Sequence, residues 1–169
     1  MKKRVKAVSV GALLTALTLM VMYIAFLIPT GNVGVVAICA LLTAAAVIEC
    51  GAFAGALVFA ASSILSLLLF PGVSILYVLF FGYYPILKSF FERLKSVSAE
   101  WLLKLLTFNA VLTAWIFIFK SAFSSYLSFF DAPVIVLYIV FNGVFVLFDI
   151  GLSKLIGFYM IRISKNIKH

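Results

Sequence analysis

The fold class that this sequence predicts is an all-α membrane protein, a compact bundle of six transmembrane helices, and three observations predict it. Of its 169 residues, 66% are hydrophobic and 11% charged, with a mean hydropathy of +1.30. A soluble domain is about half apolar and a quarter charged, so this chain has too few polar residues to cover a water-facing surface. Apolar runs of about 20 residues recur, the length that crosses the hydrocarbon core as a helix. The short alternating strands of a membrane β-barrel are missing. Lipid is therefore the outer solvent, and each backbone must satisfy its own hydrogen bonds inside a helix.

The first helix is expected from Val8 to Ile28. It follows the basic start Lys2-Lys3-Arg4-Val5-Lys6. That start resembles a secretory leader, but its apolar stretch exceeds the usual 7–15 residues and no small-x-small cleavage site follows, so an uncleaved helix is expected. Pro29-Thr30-Gly31-Asn32 reads as a turn. The second helix is expected from Val33 to Ile48, ending at Glu49-Cys50-Gly51. The third runs from Ala52 to Phe70 and stops at Pro71-Gly72. The fourth runs from Val73 to Phe91, with a kink at Pro85. A polar stretch from Glu92 to Glu100 precedes the fifth, from Trp101 to Phe119. The segment from Lys120 to Pro133, with four serines among aromatics, reads as an interfacial loop or short surface helix. The sixth helix is expected from Val134 to Ile161, before a basic tail.

Charge sets the expected topology. With six crossings, Lys2, Lys3, Arg4, Lys6, Lys88, Arg93, Lys95, Lys104, Arg162, Lys165 and Lys168 share one side, and Lys120 stands alone on the other. Under the positive-inside rule both termini are cytoplasmic. No linker or second domain interrupts the chain, so residues 1–169 read as a single transmembrane domain in the cell membrane.

The net charge of +8 is explained by these helix ends, which argues against nucleic acid as a partner. Cys39 and Cys50 are eleven positions apart on one helix, too far to bridge, and read as small buried residues. The only histidine is His169. No catalytic residue, metal site or cofactor is expected: the sequence has no His-Glu-x-x-His, Gly-x-Gly-Asp pair, serine–histidine pair or phosphate loop.

Small residues four apart let helices approach closely. Ala7 and Gly11, Ala12 and Ala16, Gly51 and Gly55, and Ala52 and Ala56 show this spacing. Each pair serves either packing within the bundle or docking of a partner. Asp149 lies mid-span, where a carboxylate needs a partner or a function. Asn109 on the fifth helix is expected at similar depth and Lys104 one turn lower, so a structural contact to one of them stands against a proton or ion site and against a role in coupling or substrate contact. Glu49 and Lys88 fall at the cytoplasmic boundary, where they snorkel or pair. In the outer half, Ser66, Tyr77, Trp115, Tyr138 and Asn142, together with Thr30 and Asn32 from a loop, have the aromatic and hydrogen-bonding make-up of a small-molecule site. An interfacial aromatic belt is the plainer explanation for the tyrosines.

The layout resembles the substrate-binding S components of energy-coupling-factor vitamin transporters. The resemblance rests on Ala12-Leu-Leu-Thr-Ala16-Leu17, on Pro29-Thr30-Gly31, and on Gly51-Ala-Phe-Ala-Gly55-Ala-Leu-Val. It implies a lipid-embedded subunit without catalysis. Ala12 and Ala16 would dock a coupling subunit and its ATPases, and an outward pocket would take a small organic micronutrient. Family members often carry an acidic or polar residue where this chain reads Ala60-Ala61-Ser62-Ser63, and no vitamin-specific signature is present. Phe80-Phe81-Gly82-Tyr83-Tyr84-Pro85-Ile86-Leu87-Lys88 sits at the cytoplasmic end of the fourth helix and suits a subunit contact better than a pocket. Two rival readings are a membrane scaffold similar to the cell-shape protein MreD, and a proton- or ion-coupled carrier using Asp149.

Overall fold

A computed structural model of the chain describes residues 2–28, 30–94, 96–118 and 134–161. Among the described residues it is all-helical, without strands. Six helical segments are long and apolar enough to cross a membrane: Val5–Leu27, Asn32–Cys50, Ala52–Leu69, Pro71–Phe91, Val97–Phe117 and Tyr138–Tyr159. The expected surface segment from Lys120 to Pro133 lies outside the described residues.

The helices are α1 (Lys2–Leu27), α2 (Asn32–Cys50), α3 (Ala52–Leu69), α4 (Pro71–Leu76), α5 (Tyr84–Phe91), α6 (Val97–Ile118) and α7 (Val134–Tyr159). The fourth span is built from α4, a π-helical turn over Tyr77–Phe81, and α5. It is broken rather than kinked. The break falls at Gly82 and Tyr83, and Pro85 sits in the first turn of α5, where its missing N–H costs nothing. A proline expected to bend a continuous helix instead starts a new one.

The chain forms two compact units: Met1–Arg93 with Leu152–His169, and Leu94–Gly151. In the first unit α1, α2 and α3 pack against one another. One cluster joins Met22, Ala25, Val36, Cys39, Val73 and Tyr77, and another joins Leu14, Ala45, Ala46 and Val58. In lipid no hydrophobic drive separates helix from solvent, so close packing of small side chains supplies much of the adhesion. The run Ala44-Ala45-Ala46 on α2 is buried for this reason. Gly51 turns the chain between α2 and α3 with φ +93°, a conformation that disfavours any side chain. Four residues on, a β-carbon at Gly55 would overlap the Val47 side chain, so the α2–α3 approach depends on that glycine.

The second unit pairs α6 with the larger part of α7. Lys104 meets Asp149, Phe108 stacks on Phe145 with ring centroids 4.3 Å apart, and Asn109 meets Asn142. Rising numbers on one helix meet falling numbers on the other, so the two run antiparallel.

Candidate functional site

Hydroxyls in the first unit are largely satisfied by their own helices. Thr15, Thr18, Thr43 and Ser62 each donate to the carbonyl four residues back. This is the arrangement that lets serine and threonine reside in oil. Tyr77, the first residue of the π-turn, is fully buried. Its phenol oxygen lies 3.1 Å from Thr43 Oγ1 and 2.9 Å from Ser62 Oγ. Three hydroxyls from three different spans thus converge. Ser66 is buried beside this cluster in sequence and donates to the Ser63 carbonyl, while Ser63 Oγ is buried without a hydrogen-bond partner among the described residues.

The second unit holds a polar ladder. At one end the Lys104 ammonium contacts Asp149 Oδ2 at 3.0 Å and Glu100 at 2.6 Å, and lies 5.2 Å from the Trp101 ring centre. Lys104 and Asp149 are both 2% exposed. Next, Asn109 and Asn142 exchange two amide hydrogen bonds, of 2.9 and 3.0 Å. Then Thr113 Oγ1 and the Tyr138 phenol meet at 2.8 Å. Asp149 therefore contacts Lys104, one of its two expected neighbours. Asn109, the other, pairs instead with Asn142.

The seven residues expected around a small molecule divide between the units. Thr30 is exposed in the α1–α2 turn, and Asn32 is partly buried as the first residue of α2. Ser66 and Tyr77 are interior to the first unit. Trp115, Tyr138 and Asn142, each partly buried, belong to the second.

The small-residue pairs also part company. Gly55 is buried against Val47, and Gly51 forms the exposed turn. Ala12 and Ala16 are exposed, because α1 turns Leu14, Thr18, Met22 and Ala25 inward. Their spacing is the same as that of Gly51 and Gly55, yet both alanines are exposed where Gly55 is buried.

Two boundary charges are also resolved. Lys88, 2% exposed, binds Glu92 at 2.9 Å and Ser153 Oγ at 2.8 Å. Glu49 accepts a long hydrogen bond of 3.5 Å from the Tyr159 phenol. Among the described residues, no group of three or more His, Cys, Asp or Glu side chains is placed to hold a metal.

Thr43, Ser62, Thr113, Glu100 and Ser153 were not foreseen as members of these clusters. Glu100 is spaced four residues before Lys104, a legible helix pair. The others carry no signal beyond being hydroxyls in an apolar run. No protein-family model, curated protein or solved structure matches the chain. Fold and composition define its class, a multi-pass helical membrane protein.

Proposed function

We propose that this chain is the membrane-embedded substrate-capture subunit of an energy-coupling-factor type importer, with both termini in the cytoplasm. It binds a small organic nutrient from outside and has no catalytic step of its own. The observation that carries this reading is the exposed Ala12–Ala16 face of α1. Where small residues serve the chain's own packing they are covered, as at Gly55 and Ala44–Ala46. A flat, uncovered small-residue face suits a second helix approaching closely. The resemblance of the layout to S components gives that helix an owner, the coupling subunit. Native mass spectrometry of the protein co-expressed with such a coupling subunit and its ATPases tests the reading. It predicts an assembled complex and a retained small molecule. Neither appearing would exclude it.

A scaffold similar to MreD is the second reading, and one observation favours it. Tyr77, Tyr138 and Asn142, expected to face a ligand, are engaged with Thr43, Ser62, Thr113 and Asn109. A scaffold needs the α1 face and the satisfied interior but no ligand. Thermal unfolding in the presence of a co-purified small molecule separates the two, since a ligand of the native state raises the midpoint.

A further inference from the structure

Ser63 departs from the pattern that the other buried hydroxyls of its unit follow. Serine and threonine in a helix commonly donate to a carbonyl three or four residues back. Thr18, Thr43, Ser62, Ser66 and Ser74 all do so. Ser63 Oγ is buried without a hydrogen-bond partner among the described residues, and the residue is 7% exposed. Its neighbour supplies the reason. The acceptor four residues back is the Phe59 carbonyl, which takes the helical N–H of Ser63 and lies 3.1 Å from Ser62 Oγ. A carbonyl oxygen has two lone pairs, so the adjacent serine has claimed the usual acceptor. Inside a membrane span no bulk water makes good the missing bond.

Ser63 adjoins a cluster with no proton to spare. It follows Ser62 in the chain and stands one turn beyond Phe59 on the same face of α3. The Phe59 ring packs on Tyr77, with centroids 5.8 Å apart. Thr43, Tyr77 and Ser62 carry one hydroxyl proton each. Ser62 Oγ lies 2.7 Å from the Val58 carbonyl, and the Tyr77 phenol lies 2.9 Å from Ser62 Oγ. These short contacts order the protons: Ser62 donates to Val58, and Tyr77 donates to Ser62. Thr43 then donates to Tyr77 at 3.1 Å or to the Cys39 carbonyl at 3.3 Å. Every proton is used and hydroxyl lone pairs are left over. The cluster can accept a further hydrogen bond but cannot give one.

A molecule suited to this place accepts from Ser63 and donates to the cluster. Water does both. Enclosure sets the size, since Thr43, Ser62 and Tyr77 are each 0% exposed, and water is the smallest molecule with both capacities. Buried waters typically make about three hydrogen bonds to groups that would otherwise go unpaired.

We propose that one ordered water molecule is bound between Ser63 Oγ and the Thr43–Tyr77–Ser62 cluster, linking α2, α3 and the fourth span. The site is independent of the transporter and scaffold readings, neither of which assigns Ser63 a role.

Infrared spectra of the full-length protein and of Ser63→Ala in hydrated lipid films test it. Water oxygen is replaced by its heavy isotope on changing the solvent, whereas the serine oxygen is not. The wild-type spectrum is expected to hold an O–H stretching band that shifts in heavy-oxygen water, and Ser63→Ala is expected to lose that band. A difference between the two proteins that does not respond to the isotope overturns the proposal, as does a shifting band that survives in the folded variant. If Ser63→Ala does not fold, an experimental structure of the wild type that shows ordered waters decides. It is expected to place a water about 2.5–3.0 Å from Ser63 Oγ, with a second contact to Thr43, Ser62 or Tyr77. Ser63 bonded directly to a protein oxygen, or density there from a cation or an organic molecule, overturns the proposal.

Discussion

The two units solve one problem in different ways. Helices in lipid gain little from apolar contact alone, because the surrounding tails are as apolar as leucine. The first unit answers with size. Gly55, Ala44, Ala45 and Ala46 let helices approach, and its hydroxyls mostly bond to their own carbonyls. The second unit answers with polarity. Its two helices are tied by an ion pair, an amide pair and a hydroxyl pair in sequence. The comparison teaches that polar residues mid-membrane need not mark a transport path. They also serve as an adhesive where few small residues are available.

Breaking the ion pair gives the largest expected effect. Lys104→Met leaves the Asp149 carboxylate buried and without this cation, a loss of about 3–5 kcal/mol. The double variant Lys104→Met with Asp149→Leu is expected to regain most of it, since removing both charges removes the desolvation cost. Reversible unfolding in mixed micelles measures both. If the double variant is no better than the single, the ladder is not electrostatically closed at that end.

Gly55→Leu comes next. The new side chain collides with Val47, and overpacking costs about 1–3 kcal/mol. The same assay reads it, and a neutral result would show that α2 and α3 do not depend on close approach. Smaller again is the amide pair. A double-mutant cycle with Asn109→Leu and Asn142→Leu is expected to give a coupling of about 0.6–1.7 kcal/mol, the range for polar contacts between membrane helices. Zero coupling would remove the middle rung. Tyr77→Phe is expected to cost about 0.5–1.5 kcal/mol. Thr43 and Ser62 keep carbonyl acceptors on their own helices, so the loss stays modest.

Much of the fold was legible in the sequence, because crossing a bilayer demands length and apolarity that any single span displays by itself. The partners of buried polar groups were only half legible. Depth along the helix brought Asp149 to Lys104 and Asn109 as candidates. Choosing between them needs the rotational register of two antiparallel helices, which hydropathy does not encode. Pro85 misled for a related reason. A proline reports that a helix is interrupted, but not on which side, and here Gly82 and Tyr83 form the interruption while Pro85 starts α5. Ala12-Ala16 and Gly51-Gly55 look alike as spacing. Only the packing of α1 and of α3 tells the exposed Ala12 and Ala16 from Gly55, which is enclosed against Val47.

That distinction is tested most directly by co-purifying an energy-coupling-factor coupling subunit with two variants of this chain. Ala12→Leu/Ala16→Leu is expected to leave thermal stability within about 0.5 kcal/mol of wild type, as for exposed sites generally, and to abolish capture of the coupling subunit. Gly55→Leu is expected to do the reverse, losing stability while its folded fraction still captures the partner. A double-leucine α1 variant that captures the subunit as well as wild type, or that unfolds like Gly55→Leu, would contradict the assignment of that face to docking.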